Sequence, residues 1–66
     1  MYASAEITKA VRLDSRRSYE LARLSGVNVT VFSRIINQIE QVKPDDPRVL
    51  RIGNVLGLSD KDCFQG

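Results

Sequence analysis

The sequence has no histidine, no tryptophan and a single cysteine, Cys63, in 66 residues. One cysteine closes no internal disulfide, and without histidine there is no zinc site of Cys and His ligands. A glycine-rich phosphate loop, a nucleophile–base pair and a convincing carboxylate cluster are also missing. The chain is therefore not read as an enzyme, and no cofactor is expected. Long apolar runs are absent too: none approaches the roughly 18 residues of a membrane span. No signal peptide is visible at the N-terminus, so the expectation is a soluble cytoplasmic protein with no membrane partner.

What remains is a single domain, residues 1–66. A chain of this size buries only about 60% of the surface its unfolded form exposes. With disulfide and metal excluded, helix packing must hold it together, with or without a second subunit. Ten cations face eight acids, for a net charge of +2. Seven of the ten cations are arginine, the better residue for phosphate and guanine. Arg12, Arg16, Arg17, Arg23 and Arg34 precede most of the acids, which gather at Glu40, Asp45, Asp46, Asp60 and Asp62. That asymmetry predicts a basic side and an acidic side.

Along the chain, residues 1–3 are expected to be ragged. Ser4 is a candidate N-cap, and Ile7, Ala10 and Val11 mark one apolar face of a first helix ending near Leu13 or Asp14. A polar connector, Asp14 to Arg17, leads to a second helix with Ser18 as its cap and Leu21, Ala22 and Leu24 inward. Gly26 closes it, because glycine accepts the left-handed conformation. Asn28 then caps a third helix from Val29 to Gln38 or Ile39. Its apolar stripe is Phe32, Ile35, Ile36 and Ile39; the opposite stripe is Val29, Thr30, Ser33, Arg34 and Asn37. A purely solvated stripe would be dominated by Glu and Lys, and this one has neither.

Pro44 blocks a helix in the segment from Glu40 to Asp46. Asp46-Pro47 is a cap followed by proline at the first helical position. The fourth helix carries Val49, Leu50, Ile52, Gly53 and Leu56, and Gly57 ends it. Gly53 inside it costs about 1 kcal/mol against alanine, so a close approach of another segment is expected there. Ser59 caps a short fifth helix with Cys63 and Phe64. No strand is predicted. The fold class is all-α, a compact bundle of about five short helices.

These residues resemble the Cro/repressor (Xre-type) family of helix-turn-helix DNA-binding domains, which includes lambdoid phage repressors. The resemblance centres on Leu21-Ala22, Gly26-Val27, Phe32 and Ile35, with the helix-turn-helix at about 18–39. It extends through Val49 to Ser59, where a small residue stands at Gly53 and Leu56-Gly57-Leu58-Ser59 follows. Cys63-Phe64-Gln65-Gly66 fits the way the family often closes. Two departures stand out. The family often has a polar residue at the Ile36 position and glycine at the Gln38 position. It also often places basic residues in the loop where this chain has Asp45 and Asp46.

The resemblance implies a transcriptional regulator, a phage or mobile-element repressor or Cro-like protein, binding double-stranded DNA at a palindromic operator. Its third helix would enter the major groove. Base reading falls to Val29, Thr30, Ser33 and Arg34. Arg34 suits guanine O6 and N7, while Val29 and the Thr30 methyl suit a thymine methyl. Phosphates would meet Arg16, Arg17, Ser18, Asn28, Asn37 and Lys43. A homodimer through the C-terminal helix, around Leu58, Cys63 and Phe64, would span two half-sites. Simpler roles compete with these. Arg34 is also read as a solvated helix residue, Arg16 and Arg17 as a polar connector, and Asn37 as a helix cap. The alternative function is a protein-interaction module, with Val29 and Val31 against another regulator.

Overall fold

Most of the helix starts and stops in the chain carry a local signal. The computed structural model describes residues 1–64, so Gln65 and Gly66 of the closing segment lie outside the described residues. Four α-helices and one 3-10 turn are present: α1 (Ala5–Leu13), α2 (Ser18–Ser25), α3 (Val29–Ile36), α4 (Pro47–Leu56) and the turn Asp60–Asp62. The all-α reading holds among the described residues. The expected fifth helix is only that one turn.

Three of the four helices open on a side-chain cap. Ser4 Oγ accepts from the Glu6 N–H, Asn28 Oδ1 from Thr30, and Asp46 Oδ1 from Arg48, satisfying N–H groups that no helix carbonyl can reach. Helix α2 differs from expectation. Its cap is Arg17, which makes no side-chain cap bond, and Ser18 is already helical.

Three helices end in the same Schellman closure. In α2 the Gly26 N–H donates to Arg23 and the Val27 N–H reaches back to Ala22. In α4 Gly57 and Leu58 donate to Asn54 and Gly53 in the same way. In α3 Gln38 and Ile39 donate to Ile35 and Arg34. The residue that turns left-handed is Gly26 (φ 68), Gly57 (φ 78) and, in α3, Gln38 (φ 60). Gln38 therefore adopts the glycine conformation without being glycine, and α3 stops at Ile36 rather than continuing to Ile39.

The core joins all four helices. Ile7 from α1, Leu21 and Ala22 from α2, Phe32 and Ile35 from α3, and Val49 and Ile52 from α4 are buried together. Each such large apolar side chain contributes roughly 1.5–3 kcal/mol of transfer free energy. Two expected members fall outside. Leu24 is 58% exposed and Ile39 68% exposed, because the buried side of α2 is formed by Leu21, Ala22 and Ser25 and α3 has ended before Ile39. Three loop residues, Ala3, Val27 and Val42, enter the core instead.

The expected ragged N-terminus is tied down. The Val42 N–H donates to the Met1 carbonyl at 2.9 Å, and the Gln38 amide donates to the Ala3 carbonyl at 3.1 Å. Ala3 forms an antiparallel bridge with Phe64. Ser4 donates its N–H to the Cys63 carbonyl at 2.9 Å and its hydroxyl to the Asp62 carbonyl at 2.6 Å. The Thr8 hydroxyl donates to the Ile36 carbonyl and docks α1 on the end of α3.

The close approach expected at Gly53 is to a sulfur atom. A Cβ on Gly53 would lie 2.1 Å from Cys63 Sγ, with Cys63 Cβ at 3.7 Å and Leu58 Cβ at 3.9 Å. Cys63 is fully buried, and its thiol donates to the Ser59 carbonyl at 3.3 Å. Burial, and then the charges of Asp60 and Asp62, push the thiol pKa up. None of the helices among the described residues is long and apolar enough to cross a membrane.

Candidate nucleic-acid interface

Helices α2 and α3 present the surface in question. The buried pair Leu21 and Ala22 on α2 and the buried pair Phe32 and Ile35 on α3 pack in the shared core. The opposite side of α3 is then forced outward by its helical period. Thr30, Ser33, Arg34 and Asn37 are exposed there, and Val29 is 50% exposed. Val31 is half-buried against the core, so it offers less surface than Val29.

The side chains on this face differ in how free they are. The Asn37 amide donates to the Ser33 carbonyl at 2.9 Å and to the Ser33 hydroxyl at 3.3 Å, which is the capping role weighed for it. Asn28 uses its carbonyl oxygen to cap Thr30, which leaves its amide N–H groups to donate elsewhere. Arg34 Nη1 lies 4.0 Å from Glu40 Oε1, and the Arg34 side chain is 57% exposed.

The expected phosphate contacts divide the same way. Arg17 and Ser18 stand exposed at the start of α2, and Lys43 is exposed in the loop before α4. Neither Arg17 nor Lys43 forms an ion pair among the described residues. Arg16 is committed elsewhere. Its Nε and Nη2 donate to Asp14 at 3.0 and 2.8 Å, and Nη2 also reaches the Val55 carbonyl at 3.3 Å. Side-chain and backbone hydrogen bonds from Arg16 lower the Asp14 pKa from 3.8 to about 2. Arg16 thus ties the connector to α4.

The same Asp-x-Arg device recurs at Asp46 and Arg48. Arg48 donates Nε and Nη2 to Asp46 at 3.2 and 2.9 Å, and its backbone N–H at 3.0 Å. The Arg48 guanidinium holds the Asp46 carboxyl below its ordinary range. Arg48 Nη1 also reaches Glu40 Oε2 at 3.4 Å. Arg48 therefore pairs with Asp46, one of the two acids that set this loop apart from the family, and with Glu40 beside it. Asp45 stays exposed, in the left-handed region at φ 59.

Glu40, Arg48 and Arg51 were not singled out from sequence. Arg51 Nε donates to the Ser25 carbonyl at 3.0 Å and so braces the end of α2. The repeated Asp-x-Arg spacing was the available signal for Arg16 and Arg48. No local pattern announces Arg51, whose partner is 26 residues away.

A separate exposed apolar patch lies on α2, where Tyr19 and Leu24 line a shallow hollow with Glu20 and Arg23. No group of acids and cysteine that could hold a metal ion occurs among the described residues. The chain matches no protein-family model, no curated protein and no solved structure.

Proposed function

We propose that this chain is a sequence-specific double-stranded DNA-binding transcriptional regulator of the Cro/repressor helix-turn-helix type. In this reading α2, the Gly26 turn and α3 form the motif, and α3 enters the major groove. The observation that carries it is the outward stripe of α3. It is uncovered, holds no acid, and combines an arginine with small hydroxyl and β-branched side chains. Such a set can contact base edges.

Arg34 donates to guanine, Val29 and the Thr30 methyl meet thymine, and Ser33 adjoins them. Arg17, Ser18, Asn28 and Lys43 meet phosphate and set register without reading sequence. Arg16 braces the connector to α4 through Asp14 and Val55, and Asn37 holds the exposed end of α3 through Ser33. Binding is by a two-fold dimer on a palindrome with half-sites roughly 34 Å apart. The C-terminal segment, with half-buried Leu58 and Phe64, is the dimer surface in this reading. The buried Cys63 takes no part in it. A phage or mobile-element repressor working in the cytoplasm is the corresponding biological role.

The test is duplex binding across a salt series, followed by selection of a preferred site from random duplexes. Arg17 and Lys43 from two protomers neutralise four phosphates. At about −0.9 per phosphate, the slope of log affinity against log salt is about −3.6. Arg34→Ala should cost about 1–3 kcal/mol and relax the preference at one base pair in each half-site. Absence of any duplex binding at low salt would sink this reading. It would favour the protein-interaction module instead, for which the exposed Tyr19, Leu24 and Val29 are the supporting surface.

A further inference from the structure

Beside the proposed reading face lies a carboxylate that the function above does not use. The left-handed turn at Gln38 folds the chain back over the end of α3. The N–H groups of Ile39 and Glu40 both donate to the Arg34 carbonyl, at 2.9 and 3.2 Å. The Glu40 backbone is thus fastened to the backbone of Arg34, six residues earlier. Its two carboxylate oxygens point to different arginines. Oε2 meets Arg48 Nη1 at 3.4 Å, and Oε1 faces Arg34 Nη1 at 4.0 Å. Arg48 is itself anchored through Asp46, the cap of α4. Glu40 is therefore held from behind and presents one oxygen to the face of α3.

We propose that Glu40 is a positioning residue that aims Arg34 at a base edge and away from phosphate. The proposal rests on the DNA-binding reading. Two physical effects support it. An unrestrained arginine carries large rotamer freedom that base recognition must remove. A fixed carboxylate at the rim of its guanidinium narrows that freedom before DNA arrives, while the other N–H donors stay available for guanine. The second effect is repulsive. A phosphate brought to Arg34 would sit near a like charge, whereas guanine O6 and N7 are neutral acceptors. Glu40 thus penalises the non-specific contact more than the specific one, as discrimination requires.

The experiment compares wild type, Glu40→Gln, Arg48→Gln, Arg34→Ala and the double variant Glu40→Gln/Arg34→Ala on the selected palindrome, on the same site changed at one base pair, and on random duplex. Glu40→Gln should tighten binding to random duplex and lower discrimination at the Arg34-dependent base pair by roughly 2–5-fold each, the size of an exposed ion-pair effect. Arg48→Gln, which unties Glu40 without removing its charge, should lower the same discrimination but not tighten random binding. In the Arg34→Ala background, Glu40→Gln should leave the base preference unchanged. The proposal is overturned if Glu40→Gln keeps full discrimination, or if its effect on base preference persists without Arg34. Either result with intact wild-type binding removes the role of Glu40 alone, whereas failure of wild type to bind duplex removes the functional reading as well. Melting curves show that the folded proteins are being compared. If Glu40→Gln does not fold, Arg48→Gln carries the test.

Discussion

Replacing Gly53 with alanine tests the tightest contact in the molecule. Inside a helix the change should stabilise by about 1 kcal/mol, because alanine loses less backbone entropy. Here the added methyl would meet Cys63 Sγ at 2.1 Å, far inside van der Waals contact. The sulfur has no easy retreat. Cys63 is fully buried, its thiol is bonded to Ser59, and its carbonyl accepts from the Ser4 N–H. Overpacking usually costs about 1–3 kcal/mol, and an overlap this deep with a fixed sulfur belongs at the top of that range, about 3 kcal/mol. With the helix-propensity gain deducted, Gly53→Ala should destabilise by about 2 kcal/mol. At about 4–8 °C per kcal/mol for a domain of this size, Tm should fall by about 8–16 °C.

The double variant Gly53→Ala/Cys63→Ala isolates the cause. Without the sulfur, the nearest atom to the new methyl is Cβ of residue 63 at 3.7 Å, an ordinary contact. Cys63→Ala alone leaves a small void and should cost roughly 1–2 kcal/mol, and the alanine at position 53 should partly refill it. The double variant should therefore lie within about 1 kcal/mol of wild type. The coupling should be about 2–3 kcal/mol, well above the 0.3–0.5 kcal/mol scatter of independent sites. Urea and thermal unfolding of the four proteins measure it. If Gly53→Ala is as stable as wild type and the two changes simply add, the packing of Cys63 on α4 is wrong.

Two further perturbations address the turns. Gln38→Ala keeps a left-handed non-glycine residue and loses the bond to the Ala3 carbonyl, so it should cost about 1 kcal/mol. Gln38→Gly loses the same bond but relieves the backbone, and should be more stable than Gln38→Ala by about 1 kcal/mol in urea unfolding. Alanine equal to or better than glycine would contradict the closure of α3. For Asp14, the folded pKa of about 2 lies below the ordinary 3.8, so its pair with Arg16 stabilises fully above about pH 4 and fades as pH falls through 2. The Tm difference between wild type and Asp14→Asn should accordingly shrink on acidification from pH 6 to pH 2, and a constant difference would refute the pairing.

Helix starts were legible because caps are local. Ser4, Asn28 and Asp46-Pro47 each satisfy N–H groups two residues ahead, and composition alone reveals them. The outward stripe of α3 was legible for a similar reason, since helical period separates it from Phe32 and Ile35. The end of α3 was not. Nothing about glutamine announces a left-handed residue, and only the fold makes Gln38 take it. That one turn also put Ile39 in solvent and Glu40 beside Arg34. Arg17 rather than Ser18 stands at the cap position of α2, and the Asp14–Arg16 pair before it converts an expected phosphate ligand into a brace. Ala3 and Val42 entered the core through partners distant in sequence, and no short-range periodicity carries that information. The proposal that this face binds DNA rests on the resemblance and on the chemistry of its side chains.

The clamp between the two ends of the chain has a kinetic consequence. Ala3 with Phe64, and Ser4 with Asp62 and Cys63, join residues about sixty positions apart. Closing so long a loop costs entropy before any contact repays it. The helices and their caps need only neighbours, so they can form first and leave this seam until last. By the same reasoning it is the first part to open from the folded side. Cys63 belongs to that seam, so the chemical accessibility of its buried sulfur becomes a clock for the opening of the seam rather than for the unfolding of the whole domain.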